Sequence, residues 1–269
     1  LESGRYQADS LIETSPGFVA VSGSVVIEDP NNLGEIDITT VLAKSSNVGM
    51  TKIALELGQQ DLWTVLSDFG IGRSTTSGFP GESSGVLTDF QHWRPVGQAT
   101  LSYGYGVSVT ALQLARAYAA VAAGGIFRPV SVRVVRGPLP IERVISSATS
   151  DALLGMLEVV VSPEGSGSLA SVPGFRVAGK TGTAKKSGVG GYSEDKYIAV
   201  FAGIAPVTKP KLVVVVVIDE PRAGFYYGGK VAAPVFANVV SGALRLLGVP
   251  PDNLQEPALH IAALTEANL

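Results

Sequence analysis

Three strand-like runs follow one another between residues 174 and 221: FRVAGKTGTAKK, YIAVFAGIAP and KLVVVVVIDEP, with only turn residues between them. Strands joined by connections this short pair antiparallel, because a parallel return needs a crossover of a dozen residues or more. Helical patterns fill the chain before these runs, and one apolar helix, AAPVFANVVSGALRLLGV, follows them. That order excludes an alternating βαβ chain and predicts an α+β fold, an antiparallel sheet flanked by helices. The run from Val213 to Ile218, five valines and an isoleucine, reads as a strand buried on both faces.

Upstream, ITTVLAK and VGMTKIALELG each carry helical spacing, with the polar SSN between them, and residues 60–69 read as a short third helix. GFPGESSGVL is a loop whose turns are set by Gly and Pro. TALQLARAYAAVAAGG is a helix with Thr110 as its N-cap and Gly124 and Gly125 as its stop. SSATSDALLGMLEVVVSPEG is another. The opening LESGRYQADSL reads as the end of a helix, and PPDNLQEPALHIAALTEANL as a loose tail. One domain is therefore expected over residues 1–252, with a tail over 253–269.

Apolar residues make up 46% and charged residues 16% of the 269, enough for a sizeable core. The formal charge of −3 gives no reason to expect nucleic acid as a partner. With no cysteine there are no disulfides, thiolate metal sites or cysteine nucleophile. His92 and His260 stand alone, so neither a metal site nor a cofactor is expected. The longest purely apolar run, Leu212 to Ile218, is far too short to cross a bilayer.

Residues 174–181, GFRVAGKT, fit the phosphate-loop pattern G-x-x-x-x-G-K-[ST], and the acid Asp219 ends an apolar run forty residues on. A phosphate loop needs a helix starting at the Lys-Thr pair. Here Gly182, Gly188, Gly190 and Gly191 follow, each costing a helix about 1 kcal/mol relative to alanine. Nucleotide binding is therefore the remote reading, and Lys180 and Thr181 are predicted to lie on an edge strand. On such a strand Thr183 returns to the face of Thr181, and Gly182 leaves the backbone open to close approach. The two hydroxyls suit a carboxylate, Lys180 brings charge beside a hydroxyl, and the Thr183 N–H suits a developing oxyanion. Ser45, Ser46 and Asn47 occupy the break between two helices, where a polar turn projects into a cleft. Asp219 and Glu220, next to Pro221, read as the start of a loop.

Ser45-x-Asn47 followed by Lys180-Thr181-Gly182-Thr183-Ala184 resembles the second and third motifs of the penicillin-recognising serine acyltransferases. KSSNVGMTKIALELG, ATLSYGYGVSVTALQLARAYA, GKTGTAKK and VVVVIDEPRAGFYYGGKVAAPVF extend the resemblance to the division-specific class B penicillin-binding proteins of Gram-negative bacteria. These are septal peptidoglycan D,D-transpeptidases. The resemblance implies an acyl-enzyme mechanism in which a serine attacks the penultimate D-Ala carbonyl of a peptidoglycan stem peptide, and an amine of a neighbouring stem captures the acyl group. β-Lactam antibiotics acylate the same serine. It further implies that Ser45 relays protons, Asn47 holds the substrate amide, Lys180 tunes the relay, and Thr181 and Thr183 bind the terminal carboxylate. Gly182 belongs to the same binding strand, and Tyr103, Tyr105, Tyr226 and Tyr227 are its cleft-lining aromatics. Cell-division membrane proteins are the implied partners, and the periplasmic face of the inner membrane the implied location.

The chain departs from that family in one respect. Its one Ser-x-x-Lys, the family's nucleophile motif, is Ser193 to Lys196, after the Lys-Thr-Gly strand and in a hairpin-loop setting that disqualifies it. The motif belongs upstream of SSN, and LESGRYQADSL resembles the stretch that follows it. The chain is thus expected to be a transpeptidase domain incomplete at its N-terminus, inactive and poorly soluble alone. Two rival readings stay open: a related acyl hydrolase, either a D,D-carboxypeptidase or a serine β-lactamase, and a binding module without catalysis. A β-lactamase of the glutamate-assisted kind needs a deacylating carboxylate between the two motifs, for which Glu82 and Glu142 are the candidates.

Overall fold

The computed structural model describes residues 1–188, 191–222 and 224–253. Its first 37 residues hold two small antiparallel pairs. β1 (Leu11–Glu13) runs beside β4 (Glu35–Asp37), and the hairpin of β2 (Phe18–Ser22) and β3 (Val25–Glu28) projects between them. None of these four strands was legible in the sequence, because at three to five residues they show too few alternations to read. The opening residues do not end a helix, which corrects the sequence reading. Gly4 turns at φ 72°, and Leu1, Tyr6 and Ala8 pack as irregular chain on the helices that follow.

Those helices are α1 (Ile38–Lys44), α2 (Asn47–Leu57) and α3 (Gln59–Asp68), at the places the apolar spacing predicts. Asp37 caps α1 by accepting from the Thr40 N–H at 2.6 Å. The proline-led α4 (Pro95–Leu101) was unforeseen. α5 (Ala111–Ala122) begins on Thr110, which shares a capping box with Gln113. The short pair β5 (Ile126–Phe127) and β6 (Glu142–Arg143) then leads to α6 (Ser147–Val161).

The central sheet is β7 (Ala178–Gly188), β8 (Gly191–Ala205) and β9 (Leu212–Asp219), antiparallel and paired in that order, as expected. The turn α7 (Gly228–Val231) and helix α8 (Ala233–Leu246) close the fold. One sheet face lies under α8, where Phe201 and Phe236 meet at 4.7 Å between ring centres and Val240 and Leu244 are fully buried. The other face, carrying Ala178, Ile204 and Val213, packs on Val121 of α5 and Leu154 and Leu157 of α6. β9 therefore sends Val214, Val216 and Ile218 to one layer and Val213 to the other. Its valines are half-buried instead of fully buried, because among the described residues β9 pairs only with β8; Val217 stays 48% exposed. Asp252 ties the end of the described chain down, accepting from Arg176 N, Thr208 N and Thr208 Oγ1. Apart from Asn253, the expected tail, with His260, lies outside the described residues. Among the described residues no helix is long and apolar enough to cross a membrane.

Gln113 is the polar pin of the α5 region. Its buried amide nitrogen donates to the carbonyls of Arg73 and Ser84 at 2.7 and 2.8 Å, and its oxygen accepts from Thr110 N at 2.8 Å. Loop residues 70–88 have no regular ladder here, so this side chain does the work of one. Gln113→Ala is expected to cost about 1–3 kcal/mol, read as a lowered urea midpoint with unchanged m-value.

Candidate active site

Ser45 closes α1 in a left-handed conformation, φ 59° and ψ 44°. Its N–H and that of Ser46 fold back onto the carbonyls of Leu42 and Val41 at 3.2 and 2.9 Å. Glycine ordinarily fills such a helix stop, since a Cβ there costs about 1–2 kcal/mol. A serine held in this conformation marks strain stored where a side chain has to be aimed. One residue on, Ser46 caps α2 by accepting from Gly49 N at 2.9 Å. Gly49 is constrained as well, because a Cβ would stand 2.8 Å from both γ-carbons of Val41. The two helices thus meet as closely as backbone allows, and Ser45 and Asn47 emerge at their junction.

Asp29, which the sequence reading passed over, holds that junction. Its carboxylate accepts from the Ser46 hydroxyl and from the N–H groups of Asn47 (2.6 Å) and Val48 (3.2 Å). A carboxylate at the mouth of α2 is favoured by the unpaired N–H groups and the helix dipole. Nothing local in GSVVIEDPNN distinguishes Asp29 from a turn residue; eighteen residues of chain separate it from Asn47.

The other wall of the site is β7. It pairs with β8 alone, so its second edge is free among the described residues. The Lys185 N–H points along that free edge, to the Tyr105 hydroxyl at 3.1 Å. By the two-residue repeat of a strand, the N–H and C=O groups of Thr183 and Thr181 face the same way. Thr181 and Lys180 thus lie on an edge strand and not at the start of a helix, which removes the nucleotide-binding reading. Lys180 bridges to the opposite wall. Its ammonium donates to Ser45 Oγ at 2.7 Å, to the Thr181 carbonyl at 3.1 Å and to Thr181 Oγ1 at 3.3 Å. Burial, with no carboxylate beside it, pushes its pKa down to about 8. Ser166, a second residue the sequence did not reveal, shares a 3.0 Å hydrogen bond with Thr181 Oγ1.

Thr183 Oγ1 accepts from Gly228 N at 2.9 Å, which leaves its own hydrogen free for the cleft. A Cβ at Gly228 would overlap the carbonyl oxygens of Gly182 and Val200. The close approach beside Thr183 is therefore made by Gly228, and its neighbour Gly229 is as tight, where a Cβ would stand 2.3 Å from the Ser166 carbonyl oxygen. At Gly182 itself a Cβ would meet only Val200 Cβ, at 3.5 Å.

Between the walls lies a cleft of about 800 Å³. Ser45, Asn47, Lys180, Thr181, Gly182, Thr183, Tyr103, Tyr105 and Tyr227 all line it. Tyr226 does not. It stacks on Tyr197 at 4.0 Å and touches the cleft through Tyr227, ring to ring at 4.4 Å and hydroxyl to hydroxyl at 3.1 Å. Among the described residues three lysines, Lys44, Lys180 and Lys230, line the cleft and no carboxylate does. Glu82 instead holds a loop, accepting from Thr75 N and Ser77 N at 2.5 and 3.2 Å. Glu142 sits on β6 away from the cleft. Ser193 lies within β8 and not in a loop, and its hydroxyl donates to Asp195 at 2.8 Å. Lys196 lies beside Glu220, which with Asp219 pairs with Lys186.

A lysine donating to a serine across a cleft from a free strand edge can pair with extended backbone and pass a proton between the two walls. The chain belongs to the penicillin binding protein transpeptidase domain family, whose pattern it matches over residues 1–241. Peptidoglycan D,D-transpeptidase FtsI of Escherichia coli K12 is 43% identical over 254 residues, covering 94% of this chain and 43% of that protein. The probable peptidoglycan D,D-transpeptidase PenA of Neisseria meningitidis is 38% identical over 251 residues. The chain thus spans less than half the length of each of these two relatives. The transpeptidase domain of Burkholderia pseudomallei penicillin-binding protein 3 superposes with a TM-score of 0.89 at 42% identity, covering 94% of this chain and 77% of that one.

Asp29→Ala is expected to lower stability by about 1.5–3 kcal/mol, the loss of charge-assisted bonds at a helix start, in urea titrations. Asp29→Asn, which keeps one acceptor oxygen, is expected to lose about half as much.

Proposed function

We propose that residues 1–252 form the greater part of a peptidoglycan D,D-transpeptidase domain that cross-links stem peptides in septal cell-wall synthesis and is acylated by β-lactams. The observation that carries this reading is the Lys180–Ser45 hydrogen bond, set beside a strand edge that is free, in a cleft lined by lysines and by no carboxylate, among the described residues. A stem peptide ending in D-Ala-D-Ala adds to the edge of β7 as a further strand. Its terminal carboxylate takes the free hydrogen of Thr183 Oγ1 and the hydroxyl of Thr181, in the field of Lys180 and Lys230. The Thr183 N–H, on the open edge, donates to the oxyanion as the tetrahedral intermediate forms. Asn47 holds the substrate amide. The nucleophile is a serine presented beside Ser45, from outside the residues assigned here.

Lys180 and Ser45 move the leaving-group proton. With pKa about 8, Lys180 is chiefly an ammonium at pH 7, and three oxygens accept its three hydrogens. Ser45 Oγ, accepting from Lys180, turns its own hydrogen outward to the leaving nitrogen and is reprotonated by the lysine. Glu82 is spent on its own loop and Glu142 lies on β6, so neither candidate carboxylate is placed to activate water in the cleft, which favours a transpeptidase over a glutamate-assisted β-lactamase. Likeness to FtsI supports cell-division membrane proteins as partners and the periplasmic face of the inner membrane as the location.

Two measurements test this. In protein that includes the nucleophile segment, the second-order rate of acylation by a fluorescent penicillin should fall as pH rises through about 8, because the ammonium donor is lost. A rate that stays level to pH 9.5 removes Lys180 from the relay. Thr183→Val should weaken binding of an acetylated D-Ala-D-Ala peptide by roughly tenfold or more, the loss of a hydrogen bond to a charged group. Its stability should fall by only about 1 kcal/mol, for the acceptor lost to Gly228 N. Thr183→Ser should restore both, and equal binding by the valine variant would take the hydroxyl out of the site.

A further inference from the structure

Two loops that are distant along the chain meet outside the cleft, where the Val132 N–H donates to the Ser77 carbonyl at 3.3 Å. Ser77 is buried and held by Glu82, which accepts from its N–H at 3.2 Å and from its hydroxyl at 3.1 Å. Ser131 closes the turn on the other loop, accepting from Arg133 N at 3.0 Å and donating to the Arg133 carbonyl at 2.9 Å. On this fixed base large apolar side chains stand in water: Phe79 is 68% exposed, Val132 64%, Val134 89% and Ile141 63%. Single exposed apolar residues are ordinary, but several on joined loops mark a contact with another molecule. None of these four lines the cleft.

The charge beside them has one sign. Four arginines and one glutamate lie between Ile126 and Arg143, in a chain whose formal charge is −3. Arg143 is taken up by the carbonyls of Gly124 and Ile145, at 2.8 and 3.2 Å. Arg128, Arg133 and Arg136 are exposed, and among the described residues their guanidinium groups have no hydrogen-bond or ion-pair partner. The backbone is open as well. Pro129, Pro138 and Pro140 keep the segment out of a helix. Among the described residues Val134, Val135 and Arg136 make no backbone hydrogen bond, so their N–H and C=O groups are available to an extended chain laid beside them.

Three kinds of molecule cover surfaces like this. A second copy related by a twofold axis would set arginine against arginine. A bilayer would take the valines but would bury backbone N–H groups without partners. An extended acidic segment of another protein answers every feature: carboxylates for the free arginines, apolar side chains for Phe79 and the valines, and backbone for backbone. We propose that the loops at Phe79 and at Val132 to Ile141 form a docking surface for an extended protein segment in which carboxylates alternate with apolar side chains. The surface uses no residue of the cleft, so it stands or falls separately from the proposed function.

The test is fluorescence anisotropy on protein that includes the nucleophile segment, with labelled peptides of about eight residues, long enough to cross the patch when extended. One alternates Glu and Val, one Glu and Ser, one Lys and Val. The Glu-Val peptide is expected to bind, the Glu-Ser peptide roughly fivefold more weakly, and the Lys-Val peptide not at all. Replacing both arginines, Arg133→Gln with Arg136→Gln, should weaken the Glu-Val peptide roughly tenfold, and raising salt from about 0.05 to about 0.3 M should weaken it severalfold. Val134→Ser should bring the Glu-Val peptide down to the level of Glu-Ser. Unchanged urea midpoints show that the variants remain folded. No binding of the Glu-Val peptide, equal binding of Glu-Ser, or variants that bind like the parent overturns the proposal. Two further results overturn it. Binding to phosphatidylglycerol vesicles and to no peptide makes the surface a membrane contact, and a dimer in sedimentation that Val134→Ser dissolves makes it a self-contact.

Discussion

A positive charge sunk into the wall of a cleft, with no carboxylate to meet it among the described residues, is what this site is built around. Burial works against the ammonium form of Lys180 and brings its pKa to about 8. Three oxygens keep it in place, two from its own neighbour Thr181 and one from Ser45 on the far wall. Those oxygens have to be held rigidly, since a loose acceptor would be replaced by water and the shift lost. The left-handed turn at Ser45, the close contact of Gly49 with Val41, and the carboxylate of Asp29 at the mouth of α2 all serve that positioning.

The opposite wall is governed by backbone approach. Gly228 comes so near the carbonyls of Gly182 and Val200 that a side chain has no room, and its N–H reaches the hydroxyl of Thr183. That contact orients the threonine and leaves its hydrogen available to a ligand. It also links the strand to α8 just beyond, so the layer that buries Phe201 and Phe236 sets the geometry of the cleft. Core packing and site geometry are therefore one arrangement: both depend on how closely α7 and α8 settle on the sheet.

Much of this was legible along the chain because periodicity is a local signal. The α1 and α2 boundaries, the Thr110 cap and the three long strands follow from spacing, capping residues and glycine placement over a dozen residues at most. β1 to β4 are not legible along the chain, since their pairing partners lie as far apart as Leu11 and Asp37 and no strand exceeds five residues. The valine run was read as fully buried from composition, whereas exposure depends on whether a neighbouring strand covers the edge, which composition does not record. Adjacency does not separate Tyr226 from Tyr227, yet only Tyr227 lines the cleft, while Tyr226 is layered between it and Tyr197.

The α+β order, the edge-strand character of Lys180 to Thr183 and the residue types of two motifs are written along the chain, because each rests on contacts or torsions within a short window. That Lys180 lies 2.7 Å from Ser45 across 135 residues of chain, that Asp29 and Ser166 reach the cleft residues and that Glu82 does not, emerges from packing. The reason is physical: desolvation of a lysine, the reach of a carboxylate to a helix mouth and the close approach of Gly228 are properties of a packed cavity. They exist only once distant segments exclude water together.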